Sequence, residues 1–173
     1  MSKTYTTLLV WIPLLILAQA LIFNHVCFLG FAVPIVFIYG LLRLPLNMSK
    51  EWLFTIGFLV GLILDIFSDT LGVNALCCTI LMALRKPILR LYVPHDDDIL
   101  GLIPSIRSFG LGVYIKYILT ACLLYCSLIF LVESLTNFHL WKLCGKVLAS
   151  TALSVVIQIG IDSLTISKRE KRL

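Results

Sequence analysis

The stretch Gly57-Phe-Leu-Val-Gly-Leu-Ile-Leu-Asp-Ile-Phe-Ser-Asp-Thr-Leu-Gly-Val-Asn74 places two glycines and an aspartate at four-residue intervals in an apolar segment. On a helical wheel, Gly57, Gly61, Asp65 and Ser68 lie within an arc of about 100°. Glycines at this spacing let membrane helices approach closely, and an ionisable residue inside a span normally faces the protein interior. This face is therefore predicted to pack against another helix.

The composition sets the environment of that stretch. Of 173 residues, 60% are hydrophobic and 13% are charged, which leaves too little polar surface to cover a soluble globule. Several apolar runs reach the roughly 17–25 residues that cross a bilayer as a helix. The predicted fold class is all-α, a polytopic integral membrane bundle in a single domain over residues 1–173. Six spans are predicted, at Thr7–Phe23, Val26–Leu42, Trp52–Ser68, Leu71–Tyr92, Gly112–Val132 and Leu140–Leu164.

Lysine and arginine residues predict the orientation. They concentrate in the second connection, around the fourth span and in the C-terminal tail, whereas the first, third and fifth connections contain none. Because cytoplasmic loops are rich in these residues, both termini are predicted to be cytoplasmic; only Lys142 and Lys146 oppose the pattern. The residues on the predicted cytoplasmic side are Arg43, Lys50, Arg85, Lys86, Arg90, Arg107, Lys168, Arg169, Lys171 and Arg172.

Three basic or apolar segments carry more specific expectations. Arg85 and Lys86 are expected to snorkel, with the fourth helix running on obliquely along the interface. The basic tail, residues 165–173, is expected to anchor to anionic lipid, with docking to a cytoplasmic partner as the alternative. Ala18-Gln19-Ala20 imitates a signal-peptide cleavage site, but apolar sequence resumes at Leu21, so retention of the first helix is expected.

Asp65 needs a partner, because the macrodipole disfavours a negative charge at the C-terminal end of a helix. It is expected to be neutral or paired, either with Lys142 or Lys146 or with hydroxyls and amides of a neighbouring helix. Asn74 is expected to cap the start of the fourth span, although Asp69 and Asn74 also suit a plain turn. The predicted outer turn consists of Asp69, Gly72 and Asn74.

The sixth span carries a polar stripe about 80° wide. Two interpretations stay open: interhelical hydrogen bonds that fix the bundle, or the wall of a polar groove. A face of small residues lies elsewhere on the same helix, at Gly145, Ala149 and Ala152. The stripe consists of Thr151, Ser154, Gln158, Asp162 and Thr165.

Catalytic chemistry has little support in the sequence. The histidines His25, His95 and His139 fall in loops or at span ends, and there is no nucleophile elbow, metal-ligand constellation or phosphate-binding glycine loop. The six cysteines show no ligand spacing and are expected to be packing residues. We expect no enzyme activity, cofactor or metal.

The 57–68 helix, followed by Gly72-Val-Asn-Ala75, resembles the bacterial rod shape-determining protein MreD family. The family signature is a Gly-x-x-x-Gly-x-x-x-Asp helix and then a Gly-x-(His/Asn)-Ala turn. Chain length, span count, the basic tail and the segment Ile103–Arg107 are similar to the versions from Bacteroidota, so the resemblance covers essentially the whole chain. It implies a fold similar to the substrate-binding subunits of energy-coupling-factor vitamin transporters.

The resemblance also implies a function, a non-enzymatic scaffold of the elongation (rod) complex in the bacterial inner membrane, supporting side-wall peptidoglycan synthesis and cell shape. The implied partners are MreC and, through it or directly, RodA, the elongation transpeptidase and MreB, together with membrane lipid but no nucleic acid. The matching positions would hold either the single helix of MreC or the protein's own groove. They are Gly57, Gly61, Asp65, Gly72 and Asn74.

One alternative function belongs to another class, the substrate-binding membrane subunit of a vitamin-type transporter. Its ligand would lie among Asp65, Asn74, Glu133 and the outer half of the sixth span. The first span lacks the Ala-x-x-x-Ala coupling pattern typical of those subunits, which favours the scaffold.

Overall fold

A computed structural model describes residues 12–23, 33–93, 104–133 and 140–170, and all regular structure within them is helical. Helix α1 occupies 12–23 and ends in a π-helical turn, Gln19–Phe23. The other helices are α2 (Ile38–Leu42), α3 (Lys50–Ser68), α4 (Val73–Arg90), α5 (Ile106–Glu133) and α6 (Leu140–Glu170).

Three helical segments are long and apolar enough to cross a membrane: Lys50–Ser68, Ser108–Glu133 and Trp141–Ser163. They correspond to the predicted third, fifth and sixth spans. The apolar helix Ile12–Leu21 is shorter within the described residues. Helix α4 occupies the predicted fourth span. It is not among the helices apolar enough to cross a membrane, because its last turns carry the cations Arg85, Lys86 and Arg90.

The helices run up and down through the bundle. Helix α3 packs on α4, α4 on α5, and α5 on α6. Helix α5 is central, because Tyr117, Ile118, Ala121 and Cys122 are completely buried on one side of it, the spacing of a face that packs. We call the two ends of the bundle the Asp65 end, with the α3–α4 turn, and the Asp162 end, with the start of α5.

The prediction of a continuous second span is wrong in its described part. Residues 33–37 are non-helical, and only the short α2 follows them. Pro34 provides the local cause, since proline has no N–H to donate and disfavours a helical conformation in the residue before it. Residues 24–32, the rest of this predicted span, lie outside the described residues.

Other predicted boundaries also shift. Helix α5 begins at Ile106 rather than Gly112, with a kink at Gly110, where φ is +76°; this left-handed conformation suits glycine. The predicted basic tail is not a separate segment, because α6 continues through Glu170. The fourth helix begins at Val73, since Gly72 at its N-terminal boundary has φ of +80°.

Candidate functional site

The glycines of α3 set the distance between α3 and α4. A Cβ added at Gly61 would lie 2.5 Å from the carbonyl oxygen of Asn74 and 2.6 Å from the nitrogen of Ala75, both backbone atoms. At Gly57 an added Cβ would lie 2.6 Å from Cγ of Met82. The predicted packing face therefore contacts the next helix of the same chain.

Asp65 caps the N-terminus of α4 from the neighbouring helix. Its Oδ1 accepts hydrogen bonds from the backbone N–H of Asn74 (2.9 Å), from Nδ2 of Asn74 (3.1 Å) and from Oγ1 of Thr70 (2.6 Å). Its Oδ2 accepts from the N–H of Ala75 at 2.9 Å. These backbone groups belong to the first turn of α4, where N–H groups lack helical partners and the helix dipole favours a negative charge.

These contacts decide between the alternatives for Asp65 and correct the expectation for Asn74. Asp65 is paired with amides and a hydroxyl, as one alternative predicted, and not with a lysine; Lys146 instead lies 3.2 Å from Glu133. Asn74 does not cap α4, since Asp65 bonds the N–H groups that a cap would bond. Its Oδ1 accepts a 2.6 Å hydrogen bond from the hydroxyl of Tyr125 and so links α4 to α5.

The predicted outer turn closes this hairpin. Asp69 ends α3 in the left-handed conformation with φ of +52°, and its side chain is exposed. The N–H of Thr70 donates to the carbonyl of Asp65, and the N–H of Gly72 donates to the carbonyl of Thr70. Asp69 and Gly72 therefore shape the turn, while Ser68 faces the cavity described below.

Asp162 performs a similar task at the other end of the bundle. Its Oδ2 accepts a 3.1 Å hydrogen bond from the N–H of Ile106, the first residue of α5. Its Oδ1 accepts from the hydroxyl of Tyr39 at 2.9 Å and lies 3.4 Å from Nη1 of Arg43. The side chain of Asp162 is completely buried, whereas that of Arg43 is 18% exposed. This carboxyl therefore joins α2, α5 and α6.

Arg85 is buried rather than snorkelling, which contradicts the expectation. It is 0% exposed, and its Nη2 donates to the carbonyl oxygens of Leu42, at 3.0 Å, and Leu44. Its Nε donates to the hydroxyl of Tyr117 at 3.3 Å. A cation beside the last carbonyls of a helix complements the helix dipole, so Arg85 holds the end of α2 against α4 and α5.

The polar stripe of α6 satisfies the backbone of the non-helical segment. The hydroxyls of Ser150 and Ser154 accept hydrogen bonds from the N–H groups of Val33 (3.1 Å) and Ile35 (2.8 Å). Nε2 of Gln158 donates to the carbonyl of Ile35 at 3.1 Å. The interpretation of the stripe as interhelical bonding fits Gln158, whose Nε2 also lies 3.2 Å from Sγ of Cys122 in α5, whereas Ser154 bonds the non-helical segment and its own helix.

Gln19 of α1 completes this arrangement from the opposite side. Its Oε1 accepts from the N–H of Val36 at 2.8 Å, and its Nε2 donates to the carbonyl of Pro34 at 3.0 Å. Non-helical backbone is tolerated at membrane depth only where protein or water satisfies it. Four side chains, from Gln19, Ser150, Ser154 and Gln158, meet this requirement here.

A cavity of about 580 Å³ lies toward the Asp65 end, between α1, the non-helical segment, α3, α4 and α5. Most of its wall is apolar. The polar side chains that line it are those of Gln19, Ser68, Thr70, Asn74, Tyr125 and Glu133. The apolar ones are those of Val33, Ile35, Phe37, Leu64, Phe67, Val73, Ile129, Phe130 and Val132.

Several predicted site residues are not brought into these clusters. Thr151 is buried, but its hydroxyl donates to the carbonyl of Val147 in its own helix. Gly145, Ala149 and Ala152 are exposed, so their face of α6 has no packing neighbour among the described residues. The side chains of Arg107, Thr165, Lys168, Arg169, Lys171 and Arg172 lie outside the described part of the chain.

The cysteines that the structure describes are single packing or surface residues. Cys77, Cys78, Cys122 and Cys126 are free and buried, which confirms them as packing residues, whereas Cys144 is exposed. No set of three His, Cys, Asp or Glu side chains in the described ranges is arranged to hold a metal ion. Cys27 and the three histidines lie outside those ranges.

The sequence reasoning missed Gln19, Ser150, Tyr39 and the burial of Arg85. A signal existed for Arg85, because it shares one helical face with Asn74, Cys78 and Leu81 through steps of four, three and four residues. Gln19 was assigned to the imitation of a cleavage site, although a lone amide in an apolar helix also indicates a buried hydrogen-bonding role.

Comparisons with known proteins add no further information about this site. A scan against protein-family models, a search of curated proteins and a search of solved structures each found no match to the chain.

Proposed function

We propose that this chain is a non-enzymatic membrane scaffold of the MreD type, acting with the elongation complex in the bacterial inner membrane. One observation carries the proposal: the positions that match the MreD signature form a single structural unit. Gly61 admits the backbone of α4, Asp65 caps that helix, and Asn74 ties it to α5. A signature whose members depend on one another in this way is less readily explained as a chance run of glycines.

The proposed role is mechanical rather than chemical. The side chains of Asp65, Asn74 and Asp162 are engaged in hydrogen bonds that join helices. The polar atoms of these three side chains are hydrogen-bonded, although Nε of Arg43, beside Asp162, has no partner among the described residues, and buried polar groups that are satisfied make a fold rigid and specific. A rigid bundle suits a protein whose task is to present a constant surface to a partner helix.

Charge supports the proposed orientation. Lys50, Arg43, Arg85, Lys86 and Arg90 all belong to the Asp162 end of the bundle. Under the positive-inside rule this end would face the cytoplasm. The α3–α4 turn would then face the periplasm, in a multi-pass protein with both termini inside.

The single helix of an MreC-type partner would need a surface other than Gly57 and Gly61, because α4 occupies that face. The exposed small residues of α6 offer one, since Gly145, Ala149 and Ala152 leave room for a close helix contact. We therefore propose that the partner helix lies along α6.

Co-purification tests the scaffold. Tagged protein would be extracted from its native membrane into nanodiscs, and the captured proteins would be identified by mass spectrometry. Recovery of a bitopic MreC-type protein, with or without RodA and its transpeptidase, is expected. Ala149→Leu should reduce that recovery, whereas Ala83→Leu, the same change on an exposed face of α4, should not. Absence of any wall-synthesis protein would contradict the proposal.

The cavity favours a second candidate, the substrate-binding subunit of a small-molecule transporter. Its volume of about 580 Å³ lies within the range of roughly 300–1,000 Å³ that is usual for ligand pockets. This candidate requires that ATPase subunits and a transmembrane coupling protein be captured in the same experiment. It also requires a water-soluble ligand that binds the purified protein.

A further inference from the structure

The polar groups that line the cavity are already engaged within the protein. Both Nε2 and Oε1 of the Gln19 side chain are hydrogen-bonded to the backbone of the non-helical segment. Asn74 uses Nδ2 toward Asp65 and Thr70 and its Oδ1 toward Tyr125. A water-soluble polar ligand would therefore find few unused donors or acceptors in the interior, while an apolar chain would lose little by entering.

The rim of the cavity differs from its interior because it carries two opposite charges. Nζ of Lys146 lies 3.2 Å from Oε1 of Glu133, a residue of the cavity wall, and 5.3 Å from the ring centroid of Phe130. The two charged side chains are 34% and 58% exposed. An exposed ion pair of this kind contributes only about 0–1 kcal/mol, so a ligand can replace it with little loss.

The rim also lies where the apolar helices end. Glu133 is the last residue of α5, and Ser68, another wall residue, is the last residue of α3. Helices of this length end near the boundary between hydrocarbon and head groups. An amphiphile could therefore place a charged head at Glu133 and Lys146 while its apolar chain enters the cavity beside Phe67, Ile129 and Phe130.

We infer that the cavity binds one chain of a membrane phospholipid whose head group carries both a phosphate and an amine, as in phosphatidylethanolamine. Lys146 binds the phosphate and Glu133 binds the ammonium group. The match of one cation and one anion at the rim to the two charges of the head group selects this class over lipids with a purely anionic head. The inference does not depend on the scaffold proposal, because it concerns only the cavity.

Native mass spectrometry tests the inference. Full-length protein would be reconstituted in nanodiscs of equimolar phosphatidylethanolamine and phosphatidylglycerol, transferred to mild detergent, and examined for retained lipid. Wild-type protein should retain phosphatidylethanolamine. Ile129→Trp, which fills the cavity, should reduce the retained fraction on the order of tenfold, a ratio that corresponds to ~1.4 kcal/mol. Leu119→Trp, the same residue introduced at an exposed position of α5, should leave retention unchanged.

The charged pair is tested separately. Glu133→Gln should remove the preference for the amine head group, and Lys146→Met should lower retention of both lipids. Lys116→Met, an exposed lysine on α5 away from the cavity, is the matched control. Soluble phosphoethanolamine without acyl chains should bind none of the variants measurably.

Four results would overturn the inference. Three of them are absence of retained phospholipid from wild-type protein, equal retention in Ile129→Trp and Leu119→Trp, and a preference of wild-type protein for phosphatidylglycerol. Binding of soluble phosphoethanolamine as tight as that of the lipid would also overturn it and would favour a transporter-type ligand pocket. None of these results would bear on the capture of wall-synthesis partners, so failure of the two proposals can be distinguished.

Discussion

Asp65 and Asp162 are both buried aspartates that bond the first turn of another helix, but they reach their partners by different routes. The partners of Asp65 lie 5 to 10 residues away along the chain. Those of Asp162 lie between 56 and 123 residues away, and they include the cation Arg43. Asp65 therefore secures a local hairpin, whereas Asp162 secures the closure of the whole bundle.

The difference in charge balance has a physical consequence. Among the described residues Asp65 has no cation in salt-bridge range, so backbone N–H groups and the dipole of α4 compensate it. Asp162 has both a helix N-terminus and a guanidinium. Removal of a neighbouring cation should therefore change the contribution of Asp162 to the free energy of unfolding, but not that of Asp65.

The largest expected loss of stability comes from overpacking the contact between α3 and α4 beside Asp65. Gly61→Leu forces a side chain into the backbone of Asn74 and Ala75. The unfolding free energy should fall by more than about 3 kcal/mol, the upper end of the usual range for overpacking, because backbone atoms cannot move aside. Thermal unfolding in detergent would measure this. Gly112→Leu, where nothing lies within 4 Å of an added Cβ, should melt close to wild type; equal melting of the two variants would contradict the close approach.

The next effect removes the cap itself. Asp65→Leu deprives Asn74 and Ala75 of an acceptor for buried N–H groups, and each such loss costs about 1–3 kcal/mol. Asp65→Asn retains one acceptor oxygen but turns an NH₂ group toward Ala75, so a smaller loss of about 1–2 kcal/mol is expected.

The exposed neighbour offers a control for both changes. Asp69→Asn should be nearly neutral, since asparagine tolerates the left-handed conformation found there. Unfolding free energies measured in bicelles would rank the three variants. If Asp65→Leu were as stable as Asp69→Asn, the capping role would be wrong.

A double-mutant cycle sharpens the contrast between the two aspartates. Asp162→Asn and Arg43→Gln should couple by about 0.5–3 kcal/mol, because the two side chains are in contact. Asp65→Asn and Lys146→Met should be additive within about 0.3–0.5 kcal/mol. Unfolding free energies of the single and double variants would give both values, and coupling in the second cycle would mean that Lys146 does compensate Asp65.

The smallest expected effect concerns the stripe of α6. Ser154→Ala leaves the N–H of Ile35 without its acceptor, which should cost about 1 kcal/mol, typical of hydrogen bonds between membrane helices. Thr151→Ala removes a bond to the carbonyl of Val147 in its own helix and a contact with the thiol of Cys126, and neither of these involves residues 33–37. Exchange of the Ile35 amide hydrogen, followed by NMR, should accelerate in the first variant alone; acceleration in both would assign the effect to general loosening of α6.

The inward face of α3 could be predicted from sequence because the α3–α4 hairpin is formed by residues that are close together along the chain. The spacing of Gly57, Gly61 and Asp65 defines one helical face whatever the rest of the chain does. The cost of an unpaired aspartate then requires donors nearby. Which donors meet it was not predictable, because lysines and helix N-termini can both satisfy a carboxyl, and the choice depends on how closely α3 and α4 approach.

Sequence patterns predict the helical class, the apolar composition of three spanning-length helices and the inward face of α3, because periodicity and the cost of burying polar groups act over a few residues. Pro34 disfavours a helix locally, but the bonds that hold residues 33–37 in place, the burial of Arg85 and the cavity follow from the packing of the bundle. Each of these depends on contacts between distant segments, such as Gln158 with Ile35, which lie 123 residues apart. A polar side chain in an apolar helix indicates that a hydrogen-bond partner is needed, but the packing of the bundle determines which group is that partner.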